Sequence, residues 1–236
     1  MNKKILYGII IPQIIFSQSL DMNEISSLSR SKAQSAFKEY REFLSLPNDA
    51  NKQDELIPNM IWCEKAFQKR GFTTERLKTK RLPLILAEKK YSGAKNTVLF
   101  YIQIDGQPVD PSKWFQEGPF IPTLKKQVNN DNWETIPWES LYKNYDDDWR
   151  IFARSASDAK GPINSFLIAL YIIEEKKIQP DYNIKVIMDM EEEMGSPNLP
   201  PAVKKFRKKL KADIYFFEDN QVLLSQFLNL FIREQQ

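Results

Sequence analysis

Residues 98–114 read VLFYIQIDGQPVDPSKW, an apolar run that gives way to a Gly-Gln-Pro turn with an aspartate on either side. A strand that is apolar at almost every position leaves no face for water, so it belongs in the middle of a sheet covered on both sides. That reading puts the chain in the α/β class. It also places Gln103 and Asp105 where the strand runs out. In open α/β sheets ligands occupy the crevice beyond the carboxyl ends of the strands, so both residues are site candidates from the outset.

Upstream of this strand, residues 23–46 carry apolar side chains at Ile25, Leu28, Ala36, Phe37, Tyr40 and Phe43, the spacing of an amphipathic helix stopped by Pro47. A second helix is predicted over 57–70, with Met60, Ile61, Ala66 and Phe67 on one face and Gly71 just past its end. TTERLKTK and LPLILAEKK read as two further strands. Downstream, GPINSFLIALYIIEEK is a helix pattern, NIKVIMDM a strand, PPAVKKFRKKLK a basic amphipathic helix and ADIYFFED another buried strand. Strands alternating with helices predict a three-layer α/β sandwich around a largely parallel mixed sheet.

Composition narrows the chemistry. With 34 Lys and Arg against 31 Asp and Glu, the net charge of +3 is too near balance to call for nucleic acid as a partner. The single cysteine, Cys63, sits at helical spacing among apolar residues and reads as core. Histidine is absent, which excludes a Ser/His/Asp triad, a Cys/His pair and any imidazole ligand from this chain. Chemistry here must use carboxylates.

Residues 1–19 have Lys3 and Lys4, an apolar run from Ile5 to Phe16 and then small polar residues, the layout of a secretory signal. The run is short for a bilayer and contains Pro12, so no stable membrane anchor is expected. The expected location is secreted or periplasmic. Loss of those two lysines and no acid would take the charge from +3 to +1.

Acids gather at strand ends. Asp105 follows the first central strand, Glu191, Glu192 and Glu193 follow NIKVIMDM, and Asp219 closes ADIYFFED. Asp158 lies in SASDAKGP, a short loop before a helix whose first turn holds Gly161 and Pro162. Taken singly, such residues are most often helix caps or solvated turns. Taken together on one rim they repel one another, and a divalent cation between them is the economical explanation.

Three blocks then resemble the co-catalytic zinc metallopeptidases that include carnosinase-like dipeptidases, aminoacylases and bacterial glutamate carboxypeptidases. YIQIDGQPVDPSKW is similar to a strand ending in His-x-Asp, ARSASDAKGP to a Gly-rich Ser-Asp-Asp-Lys-Gly-Pro loop, and EEEMGSPNLP to Glu-Glu-x-Gly-Ser. The resemblance spans residues 29–219. It implies that Asp158 bridges two metal ions, that Glu193 and Asp219 are terminal ligands, and that Glu192 is the general base. Asp105 would orient the first metal ligand, whose place Gln103 takes. The implied cofactor is a divalent metal, Zn, with Mn or Co as substitutes, and the implied substrate a small peptide or N-acyl amino acid whose amide is hydrolysed by metal-activated water. The chain departs from the pattern at Gln103, at Ala153 and Ser155 where glycines are usual, and at Ala159 where a second acid is usual.

Past Asp219 the family continues into a lid or dimerisation domain and a late metal-binding histidine; residues 220–236 show neither feature. The expectation is therefore a partial catalytic domain, residues 20–219, incomplete at its C-terminus, with a divergent tail and without the basis for a family-type homodimer. A remnant or secreted binding module that keeps the α/β core without a working dinuclear site stays open, as does a calcium-stabilised binding domain, since oxygen-only ligands suit a hard cation. The insertion between Trp114 and Arg150 reads as a surface excursion pinned by Trp133, Trp138 and Trp149, with residues 146–148 a solvated turn. KKFRKKLK reads as the exposed face of a helix.

Overall fold

The computed structural model describes residues 21–130, 132–143 and 146–217. The proposed signal, Asp219 and the tail lie outside the described residues. Helix α1 (Met22–Leu44) is capped by Asp21, whose side chain accepts the Glu24 N–H at 2.7 Å. Helix α2 (Gln53–Gln68) begins four residues before the predicted start. Asp54 and Glu55 in its first turn complement the helix dipole, and Leu56 is fully buried there. Gly71, at φ +78°, supplies the left-handed residue that turns the chain out of α2.

Strands β1 (Thr73–Leu77), β2 (Leu84–Lys89) and β3 (Asn96–Gln103) follow. The next segment departs from the expected irregular excursion. It folds into β4 (Thr123–Asn129), β5 (Asn132–Thr135) and β6 (Arg150–Phe152), a separate antiparallel sheet ordered β5-β4-β6. Its small core of Leu124, Ile136 and Leu141 closes against Phe37 of α1. The tryptophans pack as expected: Trp133 meets Phe152 edge-on at 5.1 Å, and Arg41 covers the Trp138 ring at 4.7 Å. The 146–148 turn is exposed, but Asp147 is ion-paired with Arg30 of α1.

Helix α3 (Lys160–Glu175), β7 (Tyr182–Asp189), α4 (Leu199–Lys205), α5 (Arg207–Leu210) and β8 (Ile214–Phe217) complete the fold. The predicted basic helix is thus two short helices, broken at Phe206. The main sheet is ordered β1-β2-β7-β3-β8. β3 runs parallel to β7 and β8, while β2 is antiparallel to both β7 and β1. β2 alone is reversed, so β1 ends at the same sheet edge as β3, β7 and β8.

Side chains alternate across this sheet with period two. Ile102, Ile184, Val186 and Met188 face a core made with α2 and α3, around Phe43, Phe67 and Leu167. Leu99, Tyr101 and Ile187 face Leu199, Val203 and Leu210 of α4 and α5. The sheet is therefore covered on both faces, the three-layer arrangement its sequence predicts. Cys63 lies in the first of these cores, wholly buried and unpaired, its thiol pushed up by burial.

Lys185 stands in β7 with its ammonium donating to the carbonyls of Lys209 (2.7 Å) and Lys211 (2.9 Å). Burial is the main cause that lowers its pKa, with Lys90 adding to it and Glu88 and Asp213 opposing. Between that lowered value and 10.5 the folded chain holds fewer protons than the unfolded one, so stability rises with pH through the window. Urea midpoints of the wild type, measured relative to Lys185→Met, should therefore climb as the pH is raised toward 10.5; a flat difference would contradict the assignment.

Candidate functional site

β3 and β7 are in register along their whole length, and their last pair is Gln103 with Asp189. Beyond that pair the chain turns through residues 103–107, and these five residues touch every described part of the site. Gln103 Nε2 donates to Asp158 Oδ1 at 2.7 Å. Asp105, wholly buried, accepts the backbone N–H groups of Glu192 (3.2 Å) and Glu193 (3.0 Å) on its two oxygens. Gln107 Nε2 donates to Glu193 Oε2 at 2.8 Å. Gly106 lies so close to the Asp158 loop that a Cβ there would sit 2.4 Å from Ser155 Oγ.

The Glu192–Met194 turn is one of 3-10 geometry, closed by Gly195 at φ +80°. Glu191 differs from the solvated residue that a run of glutamates suggests. It is buried, paired with Arg81 at 3.2 Å, and accepts the Asn198 amide at 2.6 Å, while its carbonyl accepts the Met194 and Ser196 N–H groups. Glu191 thus anchors the turn from below, and Glu192 and Glu193 are half-buried at its top.

Asp189 is one polar letter inside an apolar strand and carries no signal of its own in the sequence. It is buried and accepts from the Tyr101 hydroxyl (3.1 Å) and from the Met190 and Glu191 N–H groups. Burial pushes its carboxyl up despite those bonds. Burial pushes Asp105 up too, to about 8, with the nearby charge of Asp189 adding to the effect and the two turn N–H groups opposing it. Gln107 was missed for a different reason: an exposed amide four residues past a strand carries no chemical signature of its own.

The Asp158 loop is held from two sides. Ser155 adopts φ +59°, the left-handed conformation a glycine would meet at no cost, and its hydroxyl is tied to Asn48. Asn48 in turn donates to the Ile104 carbonyl at 2.8 Å. Tyr40 of α1 donates to the Ala156 carbonyl. Lys160, fully buried, donates to the carbonyls of Phe43 (2.8 Å) and Leu46 (2.6 Å), and burial lowers its pKa to about 7. The Asp158–Ala159 peptide bond is cis.

The structure thus brings Gln103 to Asp158, and Asp105 and Gln107 to the Glu192–Glu193 turn. Asp219 lies outside the described residues. Among the described residues, no group of three or more His, Cys, Asp or Glu side chains is placed to hold a metal ion.

Residues 99–226, more than half of the chain, match the peptidase family M20/M25/M40. The chain belongs to that family. It is 29% identical over 154 residues to human Beta-Ala-His dipeptidase, taking in 65% of this chain and 25% of that relative. An M20 family metallo-carboxypeptidase from Sulfolobus solfataricus superposes with a TM-score of 0.62 at 30% identity, over 78% of this chain and 37% of the other. Human carnosine dipeptidase 1 shares the fold, with a TM-score of 0.64 at 21% identity over 84% of this chain and 40% of the other. The chain spans about a quarter of the length of the M20 relatives it matches in sequence.

Metallopeptidases of the M20 family imply a divalent metal, and the donor chemistry here is compatible with one. Asp158 and Glu193 each give one oxygen to a neutral glutamine amide and keep a second oxygen without a partner among the described residues. With the Gln103 amide oxygen and the Asp219 that the family pattern adds, which lies outside the described residues, the candidate donors would all be oxygens. Such a set suits a hard divalent cation better than it suits zinc, which favours nitrogen and sulfur.

Proposed function

We propose that this chain is the catalytic part of an exported metal-dependent hydrolase that cleaves the amide bond of a dipeptide or N-acyl amino acid. The observation that carries the reading is the 103–107 segment, which grips Asp158 at one end and Glu193 at the other while Asp105 fixes the turn that bears Glu192. Family membership and the likeness to a dipeptidase support the reaction class. Export rests on the character of residues 1–19 alone. Asp158, Glu193, Asp219 and Gln103 would hold the cation, zinc in the family pattern with manganese favoured by the oxygen donors. When bound, it would acidify water and polarise the scissile carbonyl.

The remaining work falls to the chain's own groups. A Glu192 carboxylate oxygen takes the proton released by the attacking water and passes it to the leaving amine. Asp105 holds that carboxylate in place through the backbone beneath it. Gln103 and Gln107 each hold one oxygen of Asp158 and of Glu193.

Calorimetry with manganese and with zinc tests the reading. The chain should take up at least one of them, and Asp158→Ala should abolish the uptake. Glu192→Gln should retain uptake and lose hydrolysis about 100-fold or more. No uptake by the unmutated chain would favour the non-catalytic binding module.

A further inference from the structure

Because β1 runs in the same direction as β7, its exit turn, residues 78–81, rises at the same sheet edge as the acids. The turn faces α4. Asn198, Pro201, Ala202 and Lys205 recur at helical spacing on one side of that element, and together with Lys78, Thr79 and Lys80 they enclose a cavity of about 240 Å³. Three lysine side chains therefore line one concave space.

Three neighbouring cations are matched with carboxylates: Arg76 with Glu64 at 2.7 Å, Arg81 with Glu191 at 3.2 Å, and Lys209 with Glu75. Lys78, Lys80 and Lys205 have no such partner among the described residues. Lys205 instead lies 4.9 Å over the Phe206 ring. Concave walls focus the potential of like charges and raise the local concentration of counter-ions. The cavity also reaches the acidic turn through one side chain, since Asn198 lines it and donates to Glu191.

We infer that Lys78, Lys80 and Lys205 form a site for a small oxyanion, a carboxylate or a phosphate, at the rim of the sheet beside the Glu191–Ser196 loop. Its volume admits a headgroup of a few heavy atoms. An ammonium suits either ligand as a point charge, without the planar pairing that an arginine would impose. The site stands apart from the peptidase reading, because occupancy can be read without turnover.

The test titrates inorganic phosphate into the full chain by calorimetry at fixed ionic strength set with chloride. Saturable binding is expected, weakened about tenfold by Lys78→Gln with Lys205→Gln and unchanged by Lys126→Gln on β4. Should the double variant fail to fold, Lys205→Gln alone is read, with about threefold weakening expected. Equal binding by wild type and variants, or no binding beyond what chloride competes away, overturns the inference. N-acetyl-dialanine and its C-terminal amide then separate the sources. Displacement of phosphate by the acid alone identifies a peptide carboxylate as the ligand; displacement by neither identifies free phosphate.

Discussion

Gly161→Ala is expected to destabilise the chain by about 3 kcal/mol and to weaken cation uptake with it. The added Cβ would sit 2.3 Å from the Ala156 carbonyl oxygen and 3.2 Å from the Tyr40 hydroxyl. Neither neighbour is free to retreat. The carbonyl is backbone in the turn that carries Asp158, and the Tyr40 hydroxyl is bonded to that same carbonyl. Relief requires the first turn of α3 to move away from the loop, which also strains the Lys160 ammonium bonded to Phe43 and Leu46. Urea unfolding measures the cost, and Gly118→Ala is the control, since a Cβ there meets only Ile121 at 3.6 Å. A Gly161→Ala midpoint within about 0.5 kcal/mol of wild type would show that the loop yields easily.

Asp105→Ala is expected to cost about 3 kcal/mol and to lower hydrolysis about 100-fold or more, through Glu192 and not through contact with substrate. Two effects compete. Removing the carboxyl relieves the burial that raises its pKa to about 8, a gain. It also leaves the Glu192 and Glu193 N–H groups without their acceptor in a partly buried setting, a loss counted twice. The loss prevails because two backbone donors are left unmet against the relief of one buried carboxyl. Asp105→Asn should restore only part of the stability, because its amide nitrogen would face one of the two donors. A positioning role predicts that kcat falls while cation uptake changes little; a parallel loss of both would instead make Asp105 part of the metal centre.

The sheet was legible because its central strands are written in a nearly pure apolar alphabet. NTVLFYIQI and NIKVIMDM could be placed without knowing what lies beside them. The start of α2 was not, since Gln53, Asp54 and Glu55 are polar and their helical state depends on the dipole and on Leu56 finding the core. The second sheet hid for a similar reason: β6 is three residues long and β5 four, too short to show a period, and they are ordered by Phe37 from a distant helix. Among the candidate site residues, Asp158, Glu192 and Glu193 stand out through the blocks around them. Asp189 and Gln107 do not, because their meaning comes from register with Gln103 and from the placement of Glu193, relations that form only when β3 and β7 pair.

Tyr40 and the last turn of α1 hold the Asp158 loop by bonds to Ala156 and from Lys160. A helix more than a hundred residues away in the chain is thereby part of the frame that aims the loop. Substitutions along its inner face, though remote from every acid, would reach the chemistry as faults of alignment, and surface changes in the second sheet that disturb Phe37 would travel the same way through the shared helix.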